Sequence, residues 1–241
     1  RCRLRAAKAP SRATLRRRGR SRYHGPVTAD PGRRRGLVLL ALVAALWGTT
    51  FVVVKSTVVP GTTDDVIVPI LEAESGRRAG ANLGVGVNPE FLTEGQAVRD
   101  FMNPDRIVIG GIDGATVETL ARLYRGFSGV DVIRTNNRTA EMIKYASNAL
   151  LATAISFSNE IANLCGTIGG IDVVDVMRGV HASDYISLRT DDARLTAPIA
   201  SFLWAGCGFG GSCLPKDVSA LVADGERLWF AMPLLRSIPV L

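Results

Sequence analysis

The stretch TAEMIKYASNALLATAISFSNEIANLCG, residues 139–166, decides the fold. Met142, Ile143, Ala146, Leu150, Ala154, Phe157, Ile161 and Leu164 recur at helical spacing over roughly seven turns, and Gly166 is expected to close the run. A helix of that length exceeds the globular norm and is expected to be a spine that links domains or pairs chains. Upstream the pattern is different. Short apolar runs at Phe51–Val54, Leu83–Val87, Arg106–Ile109 and Val130–Arg134 read as strands. Helices are expected from Thr63-Asp64-Asp65 to Ser75-Gly76 and from Ala115 to Phe127, with Pro69 awkward in the first. Alternating β and α with apolar strands predicts a parallel, doubly wound sheet. Downstream, shorter helices are expected around Val173–Val180 and Leu195–Ala200. The predicted class is α/β: a partial Rossmann-type parallel sheet, then an all-helical central domain with a long spine helix.

The chain has 241 residues and a net charge of +7, with 47% apolar and 21% charged residues. That is enough to bury a core without a disulfide or metal staple. The charge is not spread evenly. Residues 1–35 hold 12 Arg and one Lys against one acid, a net +12. The other 206 residues hold 16 bases against 21 acids, a net −5. A chain basic throughout and built to coat nucleic acid is therefore not expected. The leader, 1–35, has no apolar period and reads as disordered, either a solvated tail or an electrostatic arm. The chain does not begin with Met, as a fragment, a processed form or a misread start would not. Gly36–Val54 carries no charge over 19 residues between three Arg and Lys55. By itself it fits a membrane anchor, or a Leu/Ala helix at Leu37–Trp47, a Gly48-Thr49-Thr50 turn and the Phe51–Val54 strand.

Cys213 is the sharpest chemical candidate. Gly210-Gly211-Ser212 lets a backbone approach a ligand, and Pro215 opens a helix with Val218, Leu221, Val222 and Leu228 on its apolar side. A thiol at a helix N-terminus beside Lys216 is expected to ionise more easily, and Asp217, four residues on, can orient or accept a proton. The competing reading is a small buried Cys after a glycine turn. Cys165 reads as core, and Cys207 fills the glycine loop. Four Cys without CxxC spacing and two His argue against a zinc site, so no metal is expected. The cysteine usage suits a reducing compartment. Gly206-x-Gly208-x-x-Gly211 matches the dinucleotide fingerprint only formally, because no strand precedes it and Cys-Leu-Pro interrupts the helix start. Glu90 and Glu94 follow Asn88-Pro89, read as the N-cap and first residue of a short helical turn, which would place both carboxylates on one face. Lys144 and Asn148 form an i, i+4 pair on the spine.

Together these segments resemble the UDP-glucose/GDP-mannose dehydrogenase family over about Phe51–Leu235. The resemblance rests on Lys55-Ser56-Thr57-Val58-Val59-Pro60-Gly61-Thr62, on Asn88-Pro89-Glu90-Phe91-Leu92-x-Glu94-Gly95 with Pro104-Asp105-Arg106-Ile107-Val108-Ile109-Gly110, on Ala140–Ala149 with Ser156–Ala162, and on Gly208–Asp217. It implies oxidation of a sugar C6 alcohol to a carboxylate with two NAD molecules through a Cys thioester. It implies Cys213 as nucleophile, Lys144 and Asn148 at the oxyanion, Asp217 and Thr57 on the hydrolytic water, and Glu90 as acid/base. Ser56, Thr57, Glu94 and Lys216 would touch the cofactor. Glu90, Phe91, Leu92, Glu94, Lys144, Asn148 and the loop Trp204, Gly208, Phe209 and Gly210 would hold the nucleotide-sugar. UDP-glucose is the expected substrate, with GDP-mannose and UDP-N-acetylhexosamine as alternatives. The resemblance also implies a cytoplasmic homodimer through the central helix, and it favours helix–turn–strand over a membrane anchor.

The domain division that follows is a leader at 1–35, a partial NAD-binding domain at 36–135 and a helical central domain with the nucleophile loop at 136–241. Neither the family's glycine fingerprint nor its C-terminal nucleotide-binding domain is found, and Arg189–Ser201 is longer than the family spacing. The chain is accordingly expected not to oxidise UDP-glucose alone. Two other readings are a non-catalytic dimerisation module built on the spine and a membrane-anchored protein with a polybasic arm.

Overall fold

A computed structural model describes residues 51–191 and 193–238. The leader, the Leu37–Trp47 segment and the Gly48–Thr50 turn lie outside the described residues. Strands β1 (Phe51–Val54), β2 (Gly84–Val87), β3 (Arg106–Gly111) and β4 (Asp131–Asn136) form one sheet in sequence order. β1 pairs with β2 in parallel from Phe51 opposite Gly84 to Val54 opposite Val87, and β3 pairs with β4 in parallel from Arg106 opposite Asp131 to Gly111 opposite Asn136. The central pairing differs from the all-parallel expectation. β2 and β3 are antiparallel, with Val87 opposite Gly110. The helix between them, α2 (Ala97–Met102; α1, Val68–Ser75, lies between β1 and β2), has only six residues. Its rise of about 9 Å is too short to carry the chain back along a strand of about 13 Å, so β3 starts at the edge where β2 ends.

Both faces of the sheet are covered along β1–β3, while β4 is largely exposed. Phe51 and Val53 pack with Ile107, Ile109, Leu120 and Ala121, the last two from α3 (Gly114–Leu123). On the other face Val52 and Val85 meet Val68 and Leu71 of α1 (Val68–Ser75), while Val54, Val87 and Val108 meet Ala140 and Ile143 of the long helix α4 (Asn137–Ile168). Two-sided cover is why these strands read as unbroken apolar runs. The Thr63-Asp64-Asp65 start is a π-helical turn, Thr63–Ile67, that runs into α1. Pro69 is tolerated because it falls in the first turn of α1, where its missing N–H leaves no gap. Gly76, at φ +68°, closes α1 in the left-handed conformation.

Helix α4 spans 32 residues, and the Asn136 side chain caps it by accepting from the Thr139 N–H at 2.8 Å. Gly166 does not close it; the helix runs on to Ile168 and ends at Gly169. Gly110 lets α4 lie close on β3, since a Cβ there would stand 2.8 Å from Ala140 Cβ and 2.8 Å from the Asn136 carbonyl. The inward side of α4 is small and polar: Ala140, Glu141, Lys144, Tyr145, Asn148, Ala149 and Ala152. Of the apolar run that betrayed the helix, Met142, Leu150, Phe157 and Leu164 instead point outward and are exposed.

Beyond α4 come α5 (Val173–His181), α6 (Cys213–Arg227) and α7 (Pro233–Arg236). The helix expected at Leu195–Ala200 is replaced by a hairpin and a 3-10 turn. β5 (Ser187–Arg189) pairs antiparallel with β6 (Arg194–Thr196), and Pro198–Phe202 forms the 3-10 turn. The surplus length noted at Arg189–Ser201 is accommodated here, and the helical domain therefore carries one small β-hairpin.

Candidate active site

Tyr145, Ala149 and Ala152 of α4 pack with Val218 and Leu221 of α6, and Val59, beyond the end of β1, packs against the same cluster. This contact sets one turn of α4 beside the first turn of α6. Asn148 Nδ2 donates to Asp217 Oδ2 at 2.6 Å, and the Lys216 ammonium pairs with the other carboxylate oxygen. Asp217 is only 2% exposed, so its charge is held by an amide on one side and a cation on the other. Cys213 is the first residue of α6, one turn before Asp217, and its thiol is exposed and free. Helix α6 begins at Cys213 rather than at Pro215. Lys144 lies one turn before Asn148, with its side chain 8% exposed, and its Nζ stands 3.8 Å from Glu90 Oε1 and 5.3 Å from the centre of the Phe91 ring. It does not snorkel to solvent. The result is two contacting pairs, Asn148–Asp217 and Lys144–Glu90, one turn apart on α4, with Cys213 one turn before Asp217 on α6.

The electrostatics follow from this packing. Burial pulls the Lys216 pKa down, but its hydrogen bond and charge pairing with Asp217 outweigh that, with help from Tyr145 and Cys213, and it rises above 10.5. Burial, with the Asp217 charge, lifts the Tyr145 phenol above 10.0. Burial lowers the Lys55 ammonium, opposed by Glu90.

One local expectation fails. Asn88 does not cap a helical turn, and Pro89–Leu92 is not helical. Asn88 is 3% exposed; its Oδ1 accepts from Lys55 Nζ at 2.7 Å and from the Tyr124 hydroxyl, and its Nδ2 donates to the Val108 carbonyl at 2.8 Å. These partners draw the side chain inward, away from the N–H groups a cap would satisfy. Glu90 and Glu94 therefore do not share a helical face. Glu90 is held by Lys144 and by the Leu92 N–H at 2.9 Å, while Glu94 is exposed on the turn before α2.

The remaining expected residues are placed around these groups. Phe91 lies between Lys144 and Arg106, whose guanidinium is 4.0 Å from the ring centre, and Leu92 is exposed. Ser56 is exposed and Thr57 half-buried on the segment that leads to Val59. The Trp204 ring meets His181 edge-on at 4.5 Å. Phe209 packs against the α4–α6 cluster, with Gly208 and Gly210 exposed or half-exposed beside it. A cavity of about 720 Å³ lies between this loop and α4, lined by Phe157, Asn159, Cys207, Gly208 and Phe209. Cys165 is buried, as expected of core.

Several site-building residues went unread in the sequence. Asn159 Oδ1 accepts from the Gly206 N–H at 2.8 Å, and Ser158 Oγ donates to the Trp204 carbonyl at 3.2 Å, which ties the glycine loop to α4. Glu141, 2% exposed, accepts from the Gly61 and Thr63 N–H groups at 2.6 and 3.0 Å, which ties the segment after β1 to the same helix. Both Asn159 and Glu141 sit at helical spacing from Lys144 and Asn148, the one signal that could have marked them.

The donor set at the end of β1 fits a dinucleotide in part. Ser56 and Thr57 offer hydroxyls at the C-terminal edge of the sheet, where α/β folds bind ligands. Among the described residues no three His, Cys, Asp or Glu side chains are grouped to hold a metal ion, and no helix is long and apolar enough to cross a membrane.

Fold and site together define an α/β plan, a mixed four-stranded sheet joined by one long helix to a helical unit carrying a thiol. The chain belongs to the UDP-glucose/GDP-mannose dehydrogenase family. Residues 38–128 match that family's NAD binding domain and residues 138–239 its central domain. A UDP-glucose 6-dehydrogenase from Haloferax volcanii is 42% identical over 190 residues, 77% of this chain and 41% of that protein. A GDP-mannose 6-dehydrogenase from Pseudomonas savastanoi pv. phaseolicola is 41% identical over 192 residues, 78% of this chain and 40% of that protein. The solved structure of a UDP-glucose dehydrogenase from Pyrobaculum islandicum matches with a TM-score of 0.67 at 38% identity, covering 78% of this chain and 40% of that one. The chain thus spans about two fifths of the relatives it matches.

Proposed function

We propose that this chain carries the catalytic centre of an NAD-dependent nucleotide-sugar 6-dehydrogenase, with UDP-glucose as substrate and GDP-mannose as the alternative. The observation that carries the reading is the Asn148–Asp217 contact, which sets Lys144 one turn away on α4 and Cys213 one turn away on α6. NAD, when bound, accepts hydride from the sugar C6 in each of two oxidations. The Cys213 thiolate adds to the C6 aldehyde, and the oxygen that gains charge is met by the Lys144 ammonium and by the second N–H of Asn148 Nδ2, the first being committed to Asp217. The second oxidation leaves a thioester on Cys213. Asp217 and Thr57 hold the water that hydrolyses it, and Glu90 moves the proton of the sugar hydroxyl. Ser56, Thr57, Glu94 and Lys216 serve the cofactor. Phe91, Leu92 and the loop from Trp204 to Gly210 hold the nucleotide-sugar.

The exposed apolar stripe of Met142, Leu150, Phe157, Leu164 and Ile168 along α4 supports a homodimer through this helix. The reading includes a division near residues 135–136 into an NAD-binding and a helical domain, a cytoplasmic setting, and a product that feeds polysaccharide synthesis. Calorimetric titration tests it. UDP-glucose or GDP-mannose should bind saturably, and Lys144→Ala should weaken that binding at least about tenfold, the loss expected for a buried charged contact. Absence of saturable binding by either sugar nucleotide would contradict the reading.

A further inference from the structure

A second cavity, of about 270 Å³, opens on the α3 side of the sheet. Lys55 follows Val53 by two residues, and Phe51 and Val53 pack toward α3, so strand alternation turns the Lys55 side chain to that side. Cys213, Lys144 and Asp217 do not line the cavity. Its walls mix polar and aromatic groups; among the latter Phe101 and Phe127 meet edge to face at 6.1 Å, and Tyr124 lies tilted against Phe127 at 5.8 Å. Lys55 is exposed at the mouth of this cavity, with its amine 5.8 Å from the centre of the Phe101 ring and oriented by its 2.7 Å hydrogen bond to Asn88 Oδ1.

We propose that this cavity is a reactive-amine site in which Lys55 Nζ captures a small aromatic aldehyde as an imine. The volume suits one substituted ring, and the aromatic walls supply stacking partners that an aliphatic aldehyde cannot use. In the step, the ammonium first gives a proton to solvent. The free amine forms a C–N bond to the carbonyl carbon as the C=O π bond opens to a hydroxyl. One amine proton passes to that oxygen, and loss of the hydroxyl with the other amine proton as water leaves C=N, with no change of oxidation state. Partial burial favours the neutral amine at Lys55, and Glu90 opposes this. Asp100, Asp105, Arg106 and Tyr124 also line the site. The other described lysines are poorer nucleophiles: Lys144 is buried, and Lys216 is held charged by Asp217. Glu90, Phe91 and Leu92 line this cavity as well as the proposed dehydrogenase site, but the test is separable from that reading, since Lys55 labelling is read whether or not Cys213 reacts.

The test is limited labelling of the whole chain with benzaldehyde and cyanoborohydride, read lysine by lysine by peptide mass spectrometry, with formaldehyde as the ringless control. Lys55 should label at least about threefold faster than Lys216 with benzaldehyde, because Lys216 is held charged by Asp217. With formaldehyde that preference should shrink. Phe101→Leu, at a ring already 41% exposed, should leave the melting temperature near that of the parent and remove the benzaldehyde preference. Equal or slower labelling of Lys55, or a preference unchanged in a folded Phe101→Leu chain, would overturn the proposal. Should Phe101→Leu fail to fold, the benzaldehyde-to-formaldehyde ratio in the parent chain decides alone.

Discussion

Asn148 and Asp217, 69 residues apart in the chain, are joined by a 2.6 Å hydrogen bond between two buried side chains. The bond locks α4 to α6 at the point where Lys144 and Cys213 flank it. Removing the amide leaves Asp217 with Lys216 alone. Asn148→Ala should therefore lower unfolding stability by about 1–3 kcal/mol, measured by urea denaturation. Asn148→Asp should cost more, because it sets two carboxylates together.

Alkaline titration reports the same junction. The Tyr145 pKa is raised above 10.0 in the folded chain, so its contribution to stability is complete below pH 10 and is lost as pH rises through the folded value. Lys216, raised above 10.5, has the same sign. The tyrosinate absorbance that Tyr145→Phe removes should be a component developing above pH 10. Tyr145→Phe should flatten the fall in melting temperature above pH 10.

How much of this was legible depends on distance along the chain. Lys144 with Asn148, and Cys213 with Asp217, could be paired from spacing because a helix fixes i, i+4 neighbours. That the two pairs meet could not be read from spacing; it came from family resemblance. Asn88 was misread because Asn-Pro is a good helix start, while its actual partners, Lys55, Tyr124 and the Val108 carbonyl, are all distant in sequence. The hairpin at 187–196 was missed because Leu195 and Ile199 mimic a helical period. Thr190 and Ala193 instead close a turn through the Thr190 N–H bond to the Ala193 carbonyl at 2.8 Å. On α4 the apolar period located the helix but not its inward face, since the inward face is the polar one that builds the site.

Trp229 offers an independent stability test. It sits at φ +59° and is 97% exposed, just past the end of α6. The Phe230 N–H bonds the Gly225 carbonyl and the Trp229 N–H bonds the Glu226 carbonyl, a left-handed helix stop that favours glycine. Trp229→Gly should raise stability by about 1 kcal/mol, the relieved strain exceeding the added chain entropy. Gly110→Ala should do the reverse and lower stability by about 1–3 kcal/mol, because its Cβ meets backbone at 2.8 Å. Both are measurable by thermal denaturation.

The outward stripe of α4 predicts assembly. Leu150 is 60% exposed in the single chain, and Leu150→Asp should shift a dimer to monomer in sedimentation velocity without lowering helix content. A parent chain that is monomeric at all concentrations would remove the dimer from the account.

The most direct test of the central claim is the rate at which each free thiol is alkylated by iodoacetamide, followed by peptide mass spectrometry with and without UDP-glucose or GDP-mannose. Cys207 in the glycine loop and Cys213 at the start of α6 are both exposed, so exposure alone does not distinguish them. The account predicts that Cys213 reacts faster than Cys207, that a bound sugar nucleotide protects it, and that Lys144→Ala abolishes the protection. Equal rates at the two thiols, with no protection of Cys213 by a bound sugar nucleotide, would contradict it.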